Sequence, residues 1–134
     1  MSDNNKIPEN LRNTKEHEWV RRESDEVVVV GITDYAQHSL GDLVYVDLPD
    51  EGAEVEAGDE MLTIESAKSA SEVYAPVSGR VIEVNDALDS HPENVNSSPY
   101  EDGWIAKIEM SDPDELDNIL SSDGYQHFLE EEDH

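Results

Sequence analysis

Cysteine is missing from this 134-residue chain, so disulfides, thiol chemistry and cysteine-bound zinc are excluded at the outset. Cations are scarce. Eight lysines and arginines stand against 34 aspartates and glutamates, a formal net charge of -26. A surface of that sign repels phosphate backbones and anionic lipid, which argues against nucleic-acid and membrane partners. No apolar run is long enough to span a bilayer. The polar opening "MSDNNKIPEN" also lacks the apolar segment of a signal peptide, so a cytoplasmic protein is expected. There is no glycine-rich phosphate loop and no Gly-x-Ser-x-Gly elbow. The five histidines, at 17, 38, 91, 127 and 134, form no i,i+4 pair and no His-x-His, and "HEW" lacks the second histidine of a zinc helix. No metal site is therefore expected.

What is present must be reconciled with that charge. High net charge with few apolar residues is the mark of a disordered chain, but also of a folded domain coated in acid, as in proteins adapted to high salt. There the self-repulsion is screened, because the Debye length shrinks to about 3 Å at 1 M salt. The apolar residues here are patterned, not scattered, which favours the folded, halophile-like alternative. The length fits one domain with one modest core.

Along the chain, residues 1–14 have the composition of a flexible leader. "HEWVRR" (His17–Arg22) predicts a strand, Glu23–Glu26 a polar turn, and "VVVVG" (Val27–Gly31) a strand buried on both faces, so a hairpin opens the domain. Thr33 can cap a short helix and Gly41 can end it, with Tyr35, Ala36 and Leu40 toward the core. From Leu43 to Val84, short segments such as "LVYVDL", "MLTIE", "SEVYA" and "GRVIEV" alternate with the turns "PDEG", "AGDE" and "PVSG". Short strands at that density predict a small sandwich or barrel. Residues 85–103 are expected to be a long loop and Trp104–Met110 a strand. Asp112, Pro113 and Glu115 then start a helix through Leu116, Ile119 and Leu120, which Gly124 is expected to stop. A second helical turn through Tyr125, Phe128 and Leu129 leads to an acidic tail over 130–134.

One residue stands out against this background. The chain has four lysines, and Lys68 lies between the strand-like "MLTIE" and "SEVYA", with Ala67, Ser69 and Ala70 beside it. Most lysines among small polar residues are simply solvated. Here, however, Gly58 lies ten residues before and Gly79 eleven after, at similar heights on the two arms of a hairpin folded at Lys68. Small neighbours leave the ε-amine open to another protein's active site. An acylated lysine at such a tip loses its charge and becomes a long arm on a rigid base. Such an arm visits several partner sites at high effective concentration.

"HEWV", "VGITDYAQ", "LGDLVYVDLP", "GAEVEAGDE", "IESAKSASEVYAPVSGRVIEVN" and "SPYEDGWIAKIEMSDPDEL" together resemble the glycine cleavage system H proteins, over about Lys15 to Leu129. The resemblance implies a mainly β, lipoyl-domain-like barrel sandwich built on the biotinyl/lipoyl hairpin, with N-terminal strands and a C-terminal helix, as a carrier domain over 15–129. It implies that Lys68 carries lipoic acid as N6-lipoyl-lysine, loaded by a lipoyl- or octanoyl-transferring ligase. The carrier is not itself an enzyme. It shuttles the aminomethyl group of glycine from glycine decarboxylase (P protein) to the aminomethyltransferase (T protein), and its reduced dithiol to dihydrolipoamide dehydrogenase (L protein). By the same resemblance Glu18, Ile32, Leu40 and Glu72 line a cleft for the arm. A carboxylate there holds the cationic amine by a charge-assisted hydrogen bond, and exclusion of water suppresses its hydrolysis. The sequence departs from the family's usual pattern at Ala67, commonly valine, at Ser69, commonly alanine, and at Glu72, commonly aspartate. A histidine that some members carry next to the leucine is Ser39 here, and His38 does not inherit its place.

Other carriers fit less well. Biotin carriers have methionine on both sides of the lysine, and lipoyl domains of 2-oxo acid dehydrogenases have Asp-Lys-Ala and a Pro/Ala-rich linker, none of which is present. An H-like lipoate relay inactive in glycine cleavage remains the alternative. Retention of Glu18 and of the "SDPDEL" segment favours the glycine pathway.

Overall fold

The computed structural model describes residues 11–132. Its strands are β1 (Arg12–Asn13), β2 (Glu18–Arg22), β3 (Val27–Ile32), β4 (Leu43–Asp47), β5 (Glu54–Val55), β6 (Glu60–Ser66), β7 (Ala70–Tyr74), β8 (Gly79–Val84) and β9 (Ala106–Met110). Helices α1 (Asp34–Leu40), α2 (Ala87–Ser90), α3 (Asn94–Ser97) and α4 (Ser122–Glu132) lie between and after them. The strands form a six-stranded sheet in the order β1-β2-β3-β9-β8-β5 and a three-stranded sheet in the order β4-β6-β7, antiparallel throughout.

The valine run explains how the layers meet. Successive side chains of a strand point to opposite faces. Val28, Val30 and Ile32 of β3 enter the main core with Val46, Leu62, Ile64 and Val73 of the other sheet. Val29 points the other way, into a second cluster with Leu11 and Trp19 that Tyr100 and Trp104 cover. An uninterrupted apolar run is what a strand buried on both faces requires. Each such side chain contributes about 1.5–3 kcal/mol on leaving water.

Several expectations are corrected. Leu11 is buried and Arg12–Asn13 pairs with β2, so the leader expected over 1–14 gives up its last residues to the sheet. The acidic tail likewise begins later than 130, because α4 continues to Glu132; residues 1–10 and 133–134 fall outside the described residues. The loop over 85–103 contains α2 and α3, whose Leu88 and Val95 are buried. After β9, Pro113–Asn118 is a 3-10 turn and not an α-helix. Asp112 caps it, but the Glu115 carboxylate turns away and accepts from the backbone N–H and the hydroxyl of Ser78, at 2.7 and 2.9 Å. Ile119 is extended, and the Leu120 carbonyl accepts from the Asn13 N–H at 2.8 Å. Gly124 therefore stops nothing. It lies in the first turn of α4, where its N–H donates to Ser121 Oγ at 3.1 Å.

The hairpin of β2 and β3 tolerates no bulk opposite its tryptophan. Gly31 faces Trp19 across the ladder, and a Cβ there would sit 2.6 Å from the indole, whose N–H is fixed to the Pro99 carbonyl at 2.9 Å. Gly31→Ala is expected to destabilise the fold by about 1–3 kcal/mol, the usual range for overpacking, as a lower urea midpoint with an unchanged slope.

Candidate functional site

Lys68 sits in the turn between β6 and β7, and the turn is built by Ser66. The Ser66 N–H donates to the Ser69 carbonyl at 2.7 Å, and Ser66 Oγ accepts the Ser69 N–H at 3.0 Å. The turn is then seated on the segment that follows α1, because the Ala67 N–H donates to the Asp42 carbonyl at 3.1 Å. Ala67, Lys68, Ser69 and Ala70 are all exposed. Among the described residues Lys68 has no ion-pair partner, whereas Lys107 binds Glu23 at 2.9 Å. The Lys68 stem lies along the bare backbone of Gly41, where a Cβ would meet Lys68 Cε at 3.1 Å. Gly41 is also in the left-handed region at φ 85, so one glycine both ends α1 and clears the lysine's bed.

That bed is clamped from below. Asn96 of α3 donates to the Gly41 carbonyl and to Gln37 Oε1, both at 2.9 Å, and its own Oδ1 accepts the Leu43 N–H at 2.9 Å. One amide thereby holds the end of α1 to the start of β4. Sequence reasoning missed Asn96 because its stretch has loop composition, and nothing local marks it.

Glu18 lies at the other end of the same region, and 2 % of it is exposed. Its carboxylate accepts from Thr14 Oγ1 at 2.7 Å and from the Tyr74 N–H at 3.0 Å. Burial pushes its pKa up to about 7, and these two hydrogen bonds, which favour the charged form, offset only part of that. The carboxylate borders a cleft of about 340 Å³ that Gly58, Ala75 and Ile119 also line. Ile32 is the cross-strand partner of Glu18 and is buried in the core. Leu40 is half-buried against that core at the end of α1. Glu72 is exposed on β7, where its carboxylate accepts from the Tyr74 hydroxyl at 3.3 Å, so it does not contact Glu18 directly.

Two elements connect these positions. Helix α1 starts beside Ile32 and ends at Gly41 under Lys68, while β7 leaves the lysine turn at Ala70 and ends at Tyr74, bonded to Glu18. At about 3.4 Å per residue, β7 spans about 14 Å between the two ends. A separate surface concavity of about 960 Å³ lies elsewhere, around Val55, Gly79 and Arg80, and touches none of these residues.

A stiff β-turn that presents one amine with no ion-pair partner among the described residues, one strand's length from a buried acid, is the form of a carrier for a covalently tethered group. The family model for "Glycine cleavage H-protein" matches residues 11–132. The chain is 54% identical over 126 residues to the glycine cleavage system H protein of Escherichia coli O7:K1 (strain IAI39 / ExPEC), covering 94% of this chain and 98% of that one. It is 52% identical to that of Coxiella burnetii (strain Dugway 5J108-111), over 94% of this chain and 97% of its relative. The crystal structure of a glycine cleavage system H protein from Mycobacterium marinum superposes with a TM-score of 0.82 at 32% identity, covering 96% of this chain and all of that one. The chain belongs to the glycine cleavage H-protein family, whose fold is the lipoyl-domain-like barrel sandwich. Its role is that of a non-catalytic lipoyl carrier in glycine cleavage, and membership of that system implies the P, T and L proteins as partners. No helix among the described residues is long and apolar enough to cross a membrane.

The raised pKa of Glu18 fixes the sign of a pH effect. Below about pH 4.5 the folded and unfolded chains both hold the proton. Between about 4.5 and 7 the unfolded chain releases it first, so this group's contribution to stability falls as pH rises, by roughly 3 kcal/mol in all at 1.36 kcal/mol per unit. Glu18→Gln cannot ionise. Urea titrations at several pH values should show the variant gaining on the parent from pH 4.5 to 8, and the difference cancels the titration of the other acids.

Proposed function

We propose that Lys68 is the residue that carries lipoic acid, as N6-lipoyl-lysine, and that Glu18, Ile32, Leu40 and Glu72 flank the resting place of the arm. The observation that carries the reading is the exposed, unpaired Lys68 stem over Gly41, where a side chain would fill the space the lysine uses. The residues present fit the group: an amine free to form an amide, an unobstructed bed, and an apolar side chain, Leu40, next to it. When bound, the lipoyl group supplies the redox-active disulfide on which the aminomethyl unit travels.

The chain's own residues do the rest. Ser66 and the Asp42 carbonyl hold the turn, so the arm pivots from a fixed base. Leu40 from α1 and Glu72 from β7 border the two sides of the arm's path. Glu18 waits at its end with a proton affinity balanced near neutrality. A cationic amine arriving there favours the carboxylate form and gains a charge-assisted hydrogen bond in a site shielded from water. The carrier domain spans 15–129 together with the short strand before it, and works in the cytoplasm away from membranes. A lipoyl- or octanoyl-transferring ligase loads it. The acid coat adapts it to high salt, since -26 charges on one small domain repel each other strongly at low ionic strength.

Intact mass of protein from its native host should show a lipoyl or octanoyl adduct on Lys68 that Lys68→Ala lacks; an adduct of biotin mass would overturn the assignment. With glycine decarboxylase, the loaded protein should support exchange of bicarbonate with the glycine carboxyl group. A lipoylated protein inactive in that assay would be a relay instead. Thermal midpoints should rise with molar KCl, and a flat response would remove the high-salt reading of the charge.

A further inference from the structure

Only three large hydrophobic side chains are markedly exposed among the described residues: Val44 at 57%, Tyr45 at 45% and Ile82 at 37%. Two of them are consecutive on β4. In a regular strand adjacent residues face opposite sides, so one of the pair would point inward. A register shift between Leu43 and Tyr45 breaks the alternation, and both turn outward while Leu43 and Val46 stay buried. Bulges of this kind re-aim side chains next to functional sites. Strand β4 is an edge of the three-stranded sheet, so no further strand among the described residues covers its outer side.

The patch adjoins the lysine turn. Leu43 pairs with Ser66 and Tyr45 with Glu65, and Asp42, two residues before Val44, accepts the Ala67 N–H. Its rim is acidic: Asp42, Asp47 and Glu65 are all exposed. An apolar pair inside a ring of carboxylates calls for a partner with an apolar contact ringed by lysine or arginine. The outward N–H of Leu43 is already taken by Asn96, so that partner is met at this end by side chains and not by an added strand.

We propose that Val44 and Tyr45 are the docking patch for the ligase that acylates Lys68. This rests on the reading of Lys68 as the acceptor. The ligase is the occupant that fits because its reaction occurs at the lysine nitrogen itself, so its active site must cover the turn and what borders it. In the loading step the neutral ε-amine attacks the carbonyl carbon of an acyl adenylate. The amide C–N bond forms, the C–O bond to the phosphate breaks, AMP leaves with the electron pair, and the amine proton passes to solvent.

The test uses the unmodified full chain, a bacterial lipoate–protein ligase, lipoic acid and ATP, with the adduct on Lys68 followed by mass while the carrier concentration is varied. Val44→Ser with Tyr45→Ser should raise KM for the carrier about tenfold, the loss expected for one apolar anchor, with kcat nearly unchanged. Tyr45→Phe should behave as the parent, and so should Ile82→Ser, which alters the exposed side chain on the other sheet. Single Tyr45→Lys gives the same reading should the double variant melt early. Once loaded, the double variant should be reoxidised by dihydrolipoamide dehydrogenase at the parental rate. A KM within twofold of the parent, a loss confined to kcat, or an equal loss with the dehydrogenase would overturn the assignment to the ligase. A parent chain that gains no adduct, or gains it away from residue 68, would sink the Lys68 reading itself and is distinguished by that mass alone.

Discussion

The hydrogen bond from the Ala67 N–H to the Asp42 carbonyl is the joint on which the proposed attachment site depends. A hairpin tip held only by its own two strands frays, because its backbone groups exchange with water. Here the tip is also tied to a third segment, itself held by Asn96 between α1 and β4. The lysine thus combines two properties that usually exclude each other, a solvent-exposed amine and a fixed backbone. Everything between Lys68 and Glu18 inherits its geometry from that seating, since α1 and β7 are the elements that reach from one to the other.

Electrostatics set the second level of organisation. The chain spends its few cations in specific places: Arg12 donates to the Ile119 carbonyl, Lys107 to Glu23, and Arg80 to Glu109. Lys68 has no such partner among the described residues. Near so many acids, the lack of an ion pair leaves the amine accessible, as the proposed lipoyl attachment requires. Glu18 is the converse case, an acid withdrawn from water while most of its kind remain outside. Burial gives it a proton affinity its exposed neighbours do not have.

Much of this was legible in the sequence. The valine run, the glycine turns and the lysine between two short strands are local signals. What was hidden depended on distant partners. Glu115 has the spacing of a capping-box residue, but Ser78 offers it two donors, and the expected helix tightens into a 3-10 turn. Gly124 looks like a stop until Ser121 is seen to accept its N–H inside a helix that continues. Asn96 carries no local signal at all, since its three partners lie 53 to 59 residues away along the chain. The bulge in β4 is similarly silent, because "LVYVD" alternates no worse than its neighbours.

The two ends of the described chain meet. Arg12 donates to the Ile119 carbonyl across 107 positions, and Asn13 bridges Leu120 beside it, whereas the lysine hairpin closes between near neighbours. On the ribosome the hairpin has all its strand partners as soon as β4 to β7 have emerged. The first strand has its ladder partner β2 at once, whereas its contacts with Ile119 and Leu120 wait for residues 107 positions on. The six-stranded sheet is completed only when β9 has emerged, so the strands that frame the lysine turn are made before the larger sheet can close.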